Sequence, residues 1–273
     1  MHRLKCVTAV AGALALAFSI SGPAVAQQPG TNGERGYVFE TFFITACLSD
    51  SGNASGIDAA GGMGWARGGK ALAITATTTE WFGTVNAMPG VYVLGTAPCT
   101  TPRRLGNADR GSTGSFSPDG KQIAIQRSNR ILVLDVATGK TIRDIGAGKD
   151  PSWSPNGTRI AYVDGTTIKT RPATGGTSST FKTNAKAPDY SPDGTKIGYL
   201  TGGRIAYATV STGLNTKVTP ISAVDFSWSP DGTKVIYTRP DRASVNVSTL
   251  TGVITERYGE GGWDGYAAWQ PLP

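Results

Sequence analysis

The stretch "WSPDGTKVIYTR", residues 228–239, decides the fold because the chain repeats it with small changes. "FSPDGKQIAIQR" stands at 116–127, "WSPNGTRIAYVD" at 153–164 and "YSPDGTKIGYLT" at 190–201. The turn glycine falls at Gly120, Gly157, Gly194 and Gly232, in steps of 37, 37 and 38 residues. A fixed period of this size signals a repeat architecture. Each copy opens on an aromatic residue: Phe116, Trp153, Tyr190 or Trp228. Ser-Pro-Asp/Asn-Gly follows. Proline presets φ and Asx-Gly tolerates positive φ, so a tight turn between strands is expected there.

After the turn comes a β-rich run (Ile123-Ala124-Ile125, Ile160-Ala161-Tyr162, Ile197-Gly198-Tyr199, Val235-Ile236-Tyr237), then a third run such as "RILVLDV" at 130–136. A second turn falls at Thr138-Gly139, Thr174-Gly175, Thr212-Gly213 and Thr251-Gly252, and a fourth run leads to the next aromatic. Four short strands per unit, with nothing of helical period, make an all-β chain. Four-stranded antiparallel units repeated radially make a β-propeller. Two weaker copies lie upstream, "WARGGKALAITAT" at 65–77 and "TNGERGYVFE" at 31–40, and the chain ends "AAWQPLP", with Trp269 in the aromatic position. Six blades are expected, closed by pairing of the N- and C-terminal segments, which removes an exposed edge.

The signature aromatic-Ser-Pro-Asp-Gly-x-x-Ile/Val resembles the WD40-like PD40 repeats of TolB-type six-bladed propellers. Four strong copies and three partial ones cover nearly all of 27–273. The resemblance implies the propeller fold. It implies no single activity, since such propellers serve as periplasmic adaptors, peptidase gates and ligand-binding modules. TolB proteins carry an α/β domain before the propeller, and here the repeats are expected to begin almost at the leader, so a Tol–Pal role is not expected.

Residues 1–26 read as a secretory leader: His2, Arg3 and Lys5, then an apolar run from Val7 to Ile20, then small residues to a cut after Ala26. The expected organisation is a signal peptide at 1–26 and one propeller domain at 27–273, exported to the periplasm or secreted. No later stretch has the ~18 apolar residues of a membrane span. Formal net charge is +7 for the whole chain. No dense Lys/Arg run appears, and nucleic acid is not an expected partner. Cys47 and Cys99 remain after the leader and are expected to form a disulfide, as export to an oxidising compartment allows.

The single histidine is His2, inside the leader. That excludes Ser-His-Asp and Cys-His catalysis and His-ligated metal sites from 27–273. No catalytic residue, cofactor or metal is expected. Asp119, Asp193 and Asp231 belong to the repeated turn, and Asn156 replaces the acid once, which suits a turn and not a ligand set. Asp150, Asp189, Asp225 and Asp264 precede the aromatics on what should be the innermost strands. Trp153, Trp228 and Trp269 recur regularly, so packing between blades is expected of them.

The irregular segments carry the functional signal. "TTTEWFGTVNAMPG" at 77–90 inserts Trp81 and Phe82 off the repeat's register, and paired aromatics make good partner anchors. "LSDSGNASGIDAAGGMGW" at 48–65 reads as a loop with weak strands. The loops matching 77–90 elsewhere are short and should share one face with it, rimmed by Arg127, Asp164, Arg204, Asp241 and Arg242. The expected function is a non-catalytic protein- or peptide-interaction module of the cell envelope or extracellular space. The alternatives are a carbohydrate or wall-polymer binder and, further off, an enzyme using carboxylates alone.

Overall fold

The structure, a computed structural model, describes strand backbones at 5–6, 32–37, 47–48, 59–65, 71–76 and 90–95, and residues 103–107, 114–214, 216–241, 245–258 and 267–271. Two short pairs come first in the chain. β1 (Lys5–Cys6) pairs with β3 (Cys47–Leu48), and β2 (Asn32–Tyr37) pairs with β24 (Ala267–Pro271). Between them stand five four-stranded antiparallel sheets, each a meander in chain order. The first holds β4 (Ala59–Trp65), β5 (Ala71–Ala76), β6 (Gly90–Gly95) and β7 (Arg103–Gly106). The second holds β8 (Ser115–Phe116), β9 (Gln122–Arg127), β10 (Arg130–Asp135) and β11 (Thr141–Ala147). The third holds β12 (Lys149–Trp153), β13 (Arg159–Asp164), β14 (Thr167–Pro172) and β15 (Ser179–Thr183). β16 (Lys186–Tyr190), β17 (Lys196–Thr201), β18 (Arg204–Thr209) and β19 (Lys217–Ser222) form the fourth. β20 (Asp225–Trp228), β21 (Lys234–Thr238), β22 (Val245–Thr249) and β23 (Ile254–Tyr258) form the fifth. The sequence signal at 48–65 was weaker than the outcome, since β4 occupies its last seven residues. β2 starts at Asn32, where a turn was expected, and a register shift between Asn32 and Arg35 takes up the difference.

The repeated turn is closed from within. Ser117 Oγ donates to Asp119 Oδ1 (2.6 Å) and accepts the Gln122 N–H (2.9 Å), while Asp119 Oδ1 accepts the Lys121 N–H (3.1 Å). These donors hold the Asp119 carboxyl below its usual range, the Ser117 hydroxyl first among them. Ser154–Asn156, Ser191–Asp193 and Ser229–Asp231 repeat the pattern. An amide oxygen serves as well as a carboxylate, which is why Asn156 is accepted. The turns also interlock: the α-carbons of Gly157, Gly194 and Gly232, all at positive φ, sit against Pro118, Pro155 and Pro192 of the preceding copies.

The core lies between sheets. Phe116, Ile123 and Ile125 face Ala73, Val91, Val93 and Leu105 of the first sheet, while Ala124 turns the other way to meet Trp153 and Ile160. Both faces of β9 are therefore buried, so its sequence reads as an unbroken apolar run instead of alternating with polar residues. At each seam the aromatic of one sheet rests on a small residue of the sheet before it: Trp153 on Ala124, Tyr190 near Ala161, Trp228 on Gly198. The expected packing role of Trp153 and Trp228 is thus observed, at 7% and 5% exposure.

Gly198 stands where the second and third sheets have Ala124 and Ala161, and Phe226 is packed against it. A Cβ there would lie 2.8 Å from the Phe226 ring and 2.9 Å from Trp228 Nε1. Gly198→Ala should destabilise the fold by about 1–3 kcal/mol through overpacking. Thermal melts of the single variant and of Gly198→Ala/Phe226→Ala check this. The pair should couple, and strictly additive losses would show that the ring is not the obstacle.

The first strands of the sheets are neighbours: β8 packs on β4 and β12, β16 on β12 and β20, and β24 on β20 and β4. A side-chain relay joins them. The residue before each aromatic accepts the backbone N–H of the next aromatic along: Ser115 Oγ from Trp153 (2.8 Å), Ser152 Oγ from Tyr190 (3.1 Å), Asp189 Oδ2 from Trp228 (3.4 Å).

Candidate functional site

The hairpins joining second to third strands hold the residues of interest. Ser128 and Asn129 have φ of 52° and 57°, and Gly202 and Gly203 have 55° and 74°. Positive φ at both central positions gives the type I′ geometry that suits a two-residue hairpin. Three of these hairpins are tied to the chain entering the next sheet: Gly148 N–H to Asn129 O (2.9 Å), Ala185 N–H to Thr166 O (3.0 Å), Ala223 N–H to Gly203 O (3.0 Å). The hairpin ends are therefore braced, not free.

Arg127 ends β9 and donates to Thr141 Oγ1 (3.1 Å), with its guanidinium close to Gly106 of the preceding sheet. Asp164 ends β13 and pairs with Lys169 Nζ at 2.6 Å, which raises the lysine's proton affinity. Arg204 opens β18 opposite Thr201 and is exposed. Asp241 pairs with Arg239 at 2.6 Å. All four occupy the same topological position, the link between second and third strands. The 77–89 segment joins β5 to β6 in that position too, but Trp81 and Phe82 lie outside the described residues, as do Arg242 and Cys99. Cys47 stands opposite Cys6 in the β1–β3 pair.

The sequence reading missed the partners. Arg130–Asp144 (2.7 Å), Lys169 and Arg239 alternate sign with the residues above. Arg130 holds the Asp144 carboxyl below its usual range. The signal was available: a two-residue hairpin puts Asp164 within reach of Lys169, five positions on. Exposed pairs of this kind contribute about 0–1 kcal/mol each to stability. What they do is fix charged side chains in place on a braced edge.

The acids of the first strands behave differently. Asp189 keeps a little exposed surface but is otherwise surrounded by protein, and burial pushes its carboxyl up to about 7 against hydrogen bonds from the Trp228 N–H and the Ser152 hydroxyl. Burial also raises Asp150, opposed by Lys149, the Ala187 N–H and Lys186. Asp150 and Ala187 have φ of 51° and 49° although each precedes a proline. Both positions are strained. Asp264 lies outside the described residues. Among the described residues no group of three His, Cys, Asp or Glu could hold a metal ion, and no helix is long and apolar enough to cross a membrane.

With this geometry in hand, comparison with known proteins gives the class. No family model matches the chain and no curated protein matches it by sequence. Solved structures do match. TolB from Acinetobacter baumannii superposes with a TM-score of 0.64 at 19% identity, covering 87% of this chain and 66% of that one. A chain of a nidogen/laminin complex gives 0.62 at 14% identity, over 83% of this chain and 94% of that one. The structure described as putative TolB from Agrobacterium tumefaciens gives 0.57 at 19% identity, over 88% and 100%. The chain spans just under two thirds of the Acinetobacter TolB. At these identities the likeness is one of fold: a TolB-type, WD40-like β-propeller.

Proposed function

We propose that the chain is an exported, non-catalytic propeller that binds a protein or peptide of the cell envelope or extracellular space through its hairpin edge. In this reading residues 1–26 are a leader cut after Ala26, and 27–273 form one six-bladed ring stapled by Cys47–Cys99. Six blades are supported by the circular adjacency of β4, β8, β12, β16, β20 and β24 and by the β2–β24 pair. The observation that carries the function is the hairpin edge itself. Its members Arg127, Asp164 and Arg204 sit on braced hairpins, Asp241 sits on the equivalent link of the fifth sheet, and the long insertion with Trp81 and Phe82 occupies the same link in the first sheet. A rigid charged rim beside paired aromatics is the anatomy of a protein-binding surface. Arg242 belongs to the same rim.

Immobilised chain, exposed in parallel to the envelope proteins of its host and to purified wall polymer, tests the reading. Capture of one discrete protein, unchanged by added polymer, is the expected result. Retention of polymer with no protein would replace this reading with the wall-polymer one. Turnover of an envelope substrate, lost on substituting one carboxylate, would replace it with an enzyme.

A further inference from the structure

At the other end of the strands, a cavity of about 400 Å³ opens between the second and third of the four strong turns. Ser154, Asn156 and Arg159 line one wall, Tyr190, Asp193 and Val210 the other, and Pro155 and Pro192 complete it. Two departures from the repeat converge there. The first is Asn156, which stands where the other copies have Asp119, Asp193 and Asp231. Its Oδ1 closes the turn as theirs do, but its Nδ2 brings a donor in place of a negative charge.

The second is Tyr190. The equivalent Trp153 Nε1 donates to Gly157 O (3.2 Å), the equivalent Trp228 Nε1 donates to Asp189 O (3.1 Å), and Phe116 has no polar atom. Among the described residues the Tyr190 hydroxyl is buried without a partner, in a residue 6% exposed. Such an unmade hydrogen bond costs about 1–3 kcal/mol, and phenylalanine at 116 shows that the repeat does not need it. Burial holds this phenol protonated, up to about 12, with the Arg159 guanidinium beside it. Arg159 Nη2 is itself anchored on Thr170 Oγ1 (2.9 Å). Asp193 stays ionised, its oxygens held by Ser191 and Thr195 and its charge partly offset by Lys196 at 3.9 Å.

We infer that this cavity is a second binding site, for a peptide carboxylate: Arg159, Asn156 Nδ2 and the Tyr190 hydroxyl take the oxygens, and Pro155, Pro192 and Val210 take the apolar part. The carboxylate belongs to a chain end or to an acidic side chain. The site lies at the opposite ends of the strands from the hairpin edge and stands whether or not that edge binds.

The test is titration of the purified chain, followed by amide NMR, with N-acetyl-leucine, N-acetyl-leucinamide and N-acetyl-glutamate amidated at its C-terminus. Saturable millimolar binding of a carboxylate probe, with shifts at 156, 190 and 210, is expected, and about 10-fold weaker binding of the leucinamide. Tighter leucine assigns the site to chain ends, and tighter glutamate assigns it to acidic side chains. Asn156→Asp restores the common turn and should fold normally while weakening the carboxylate about 10-fold. Tyr190→Phe should weaken it about 5-fold and melt higher than the parent chain. Equal binding of leucine and leucinamide, no saturable binding of either carboxylate, or shifts confined to other residues would overturn the inference. None of these outcomes bears on capture by the hairpin edge.

Discussion

Asp189→Ser should raise the melting temperature at pH 8 by about 5–10 °C and leave it within about 2 °C of the parent at pH 4. Asp189 occupies a relay position filled by Ser115 and Ser152 in the two preceding sheets, and serine there still accepts the Trp228 N–H. What it removes is a carboxyl whose folded-state proton affinity is raised to about 7 from an ordinary 3.8. A group raised in this way contributes stability that is complete below about pH 4 and is lost as pH rises through 7. Above that, the fold carries an ionised, largely desolvated carboxylate, at a cost on the order of 3 kcal/mol. The gain on substitution should therefore grow between about pH 4 and pH 7 and level off above that. Asp150 is raised as well, so the parent keeps some pH dependence of the same sign, and the variant-minus-parent difference is the quantity to follow. Calorimetric melts between pH 4 and 8 measure it. A gain of equal size at both ends of the range would show that Asp189 is not the titrating group.

Deleting residues 267–273 should abolish cooperative melting. β24 pairs with β2, with Trp269 opposite Arg35 and Ala267 opposite Tyr37, and it also touches β20 and β4. Its loss leaves β2 without its partner and exposes the first strands on either side, a row of unpaired edge groups. The sheets share their cores across seams, as Ala124 and Trp153 do, so an opened seam should propagate from sheet to sheet. Loss of the sigmoidal transition in circular dichroism, with aggregation, is the expected result. A truncated chain that melts as sharply and as high as the parent would mean that the ends do not close the ring.

Much of this was legible in the sequence because the repeat writes it locally. Ser-Pro-Asp-Gly sets the turn, the β-rich apolar runs after it set the strands, and Thr-Gly at 138–139 and 212–213 sets the outer hairpins. The charged residues at the hairpin ends could be named because each lies between 7 and 10 positions after a turn glycine. What could not be read joins residues a full repeat apart. The Ser115–Trp153 and Asp189–Trp228 bonds span 38 and 39 positions. Nothing in the neighbourhood of Asp189 announces that it replaces a serine in a relay. Gly198 looks like a lapse from Ile-Ala-Tyr until Phe226 is seen against it. The unpartnered Tyr190 hydroxyl is a fact of burial, and a tyrosine in an aromatic position raises no flag by itself. The 77–89 insertion departs from the repeat, so the repeat could locate it but say nothing of how Trp81 and Phe82 are held.

The most direct test of the interaction reading is the affinity of the captured envelope protein for the parent chain and for the Trp81→Ala/Phe82→Ala variant, with thermal melts of both. A loss of about 30-fold or more, the size expected when an aromatic anchor is removed, with an unchanged melt, is the expected result. Equal affinity for the two chains would contradict the hairpin edge as the binding surface.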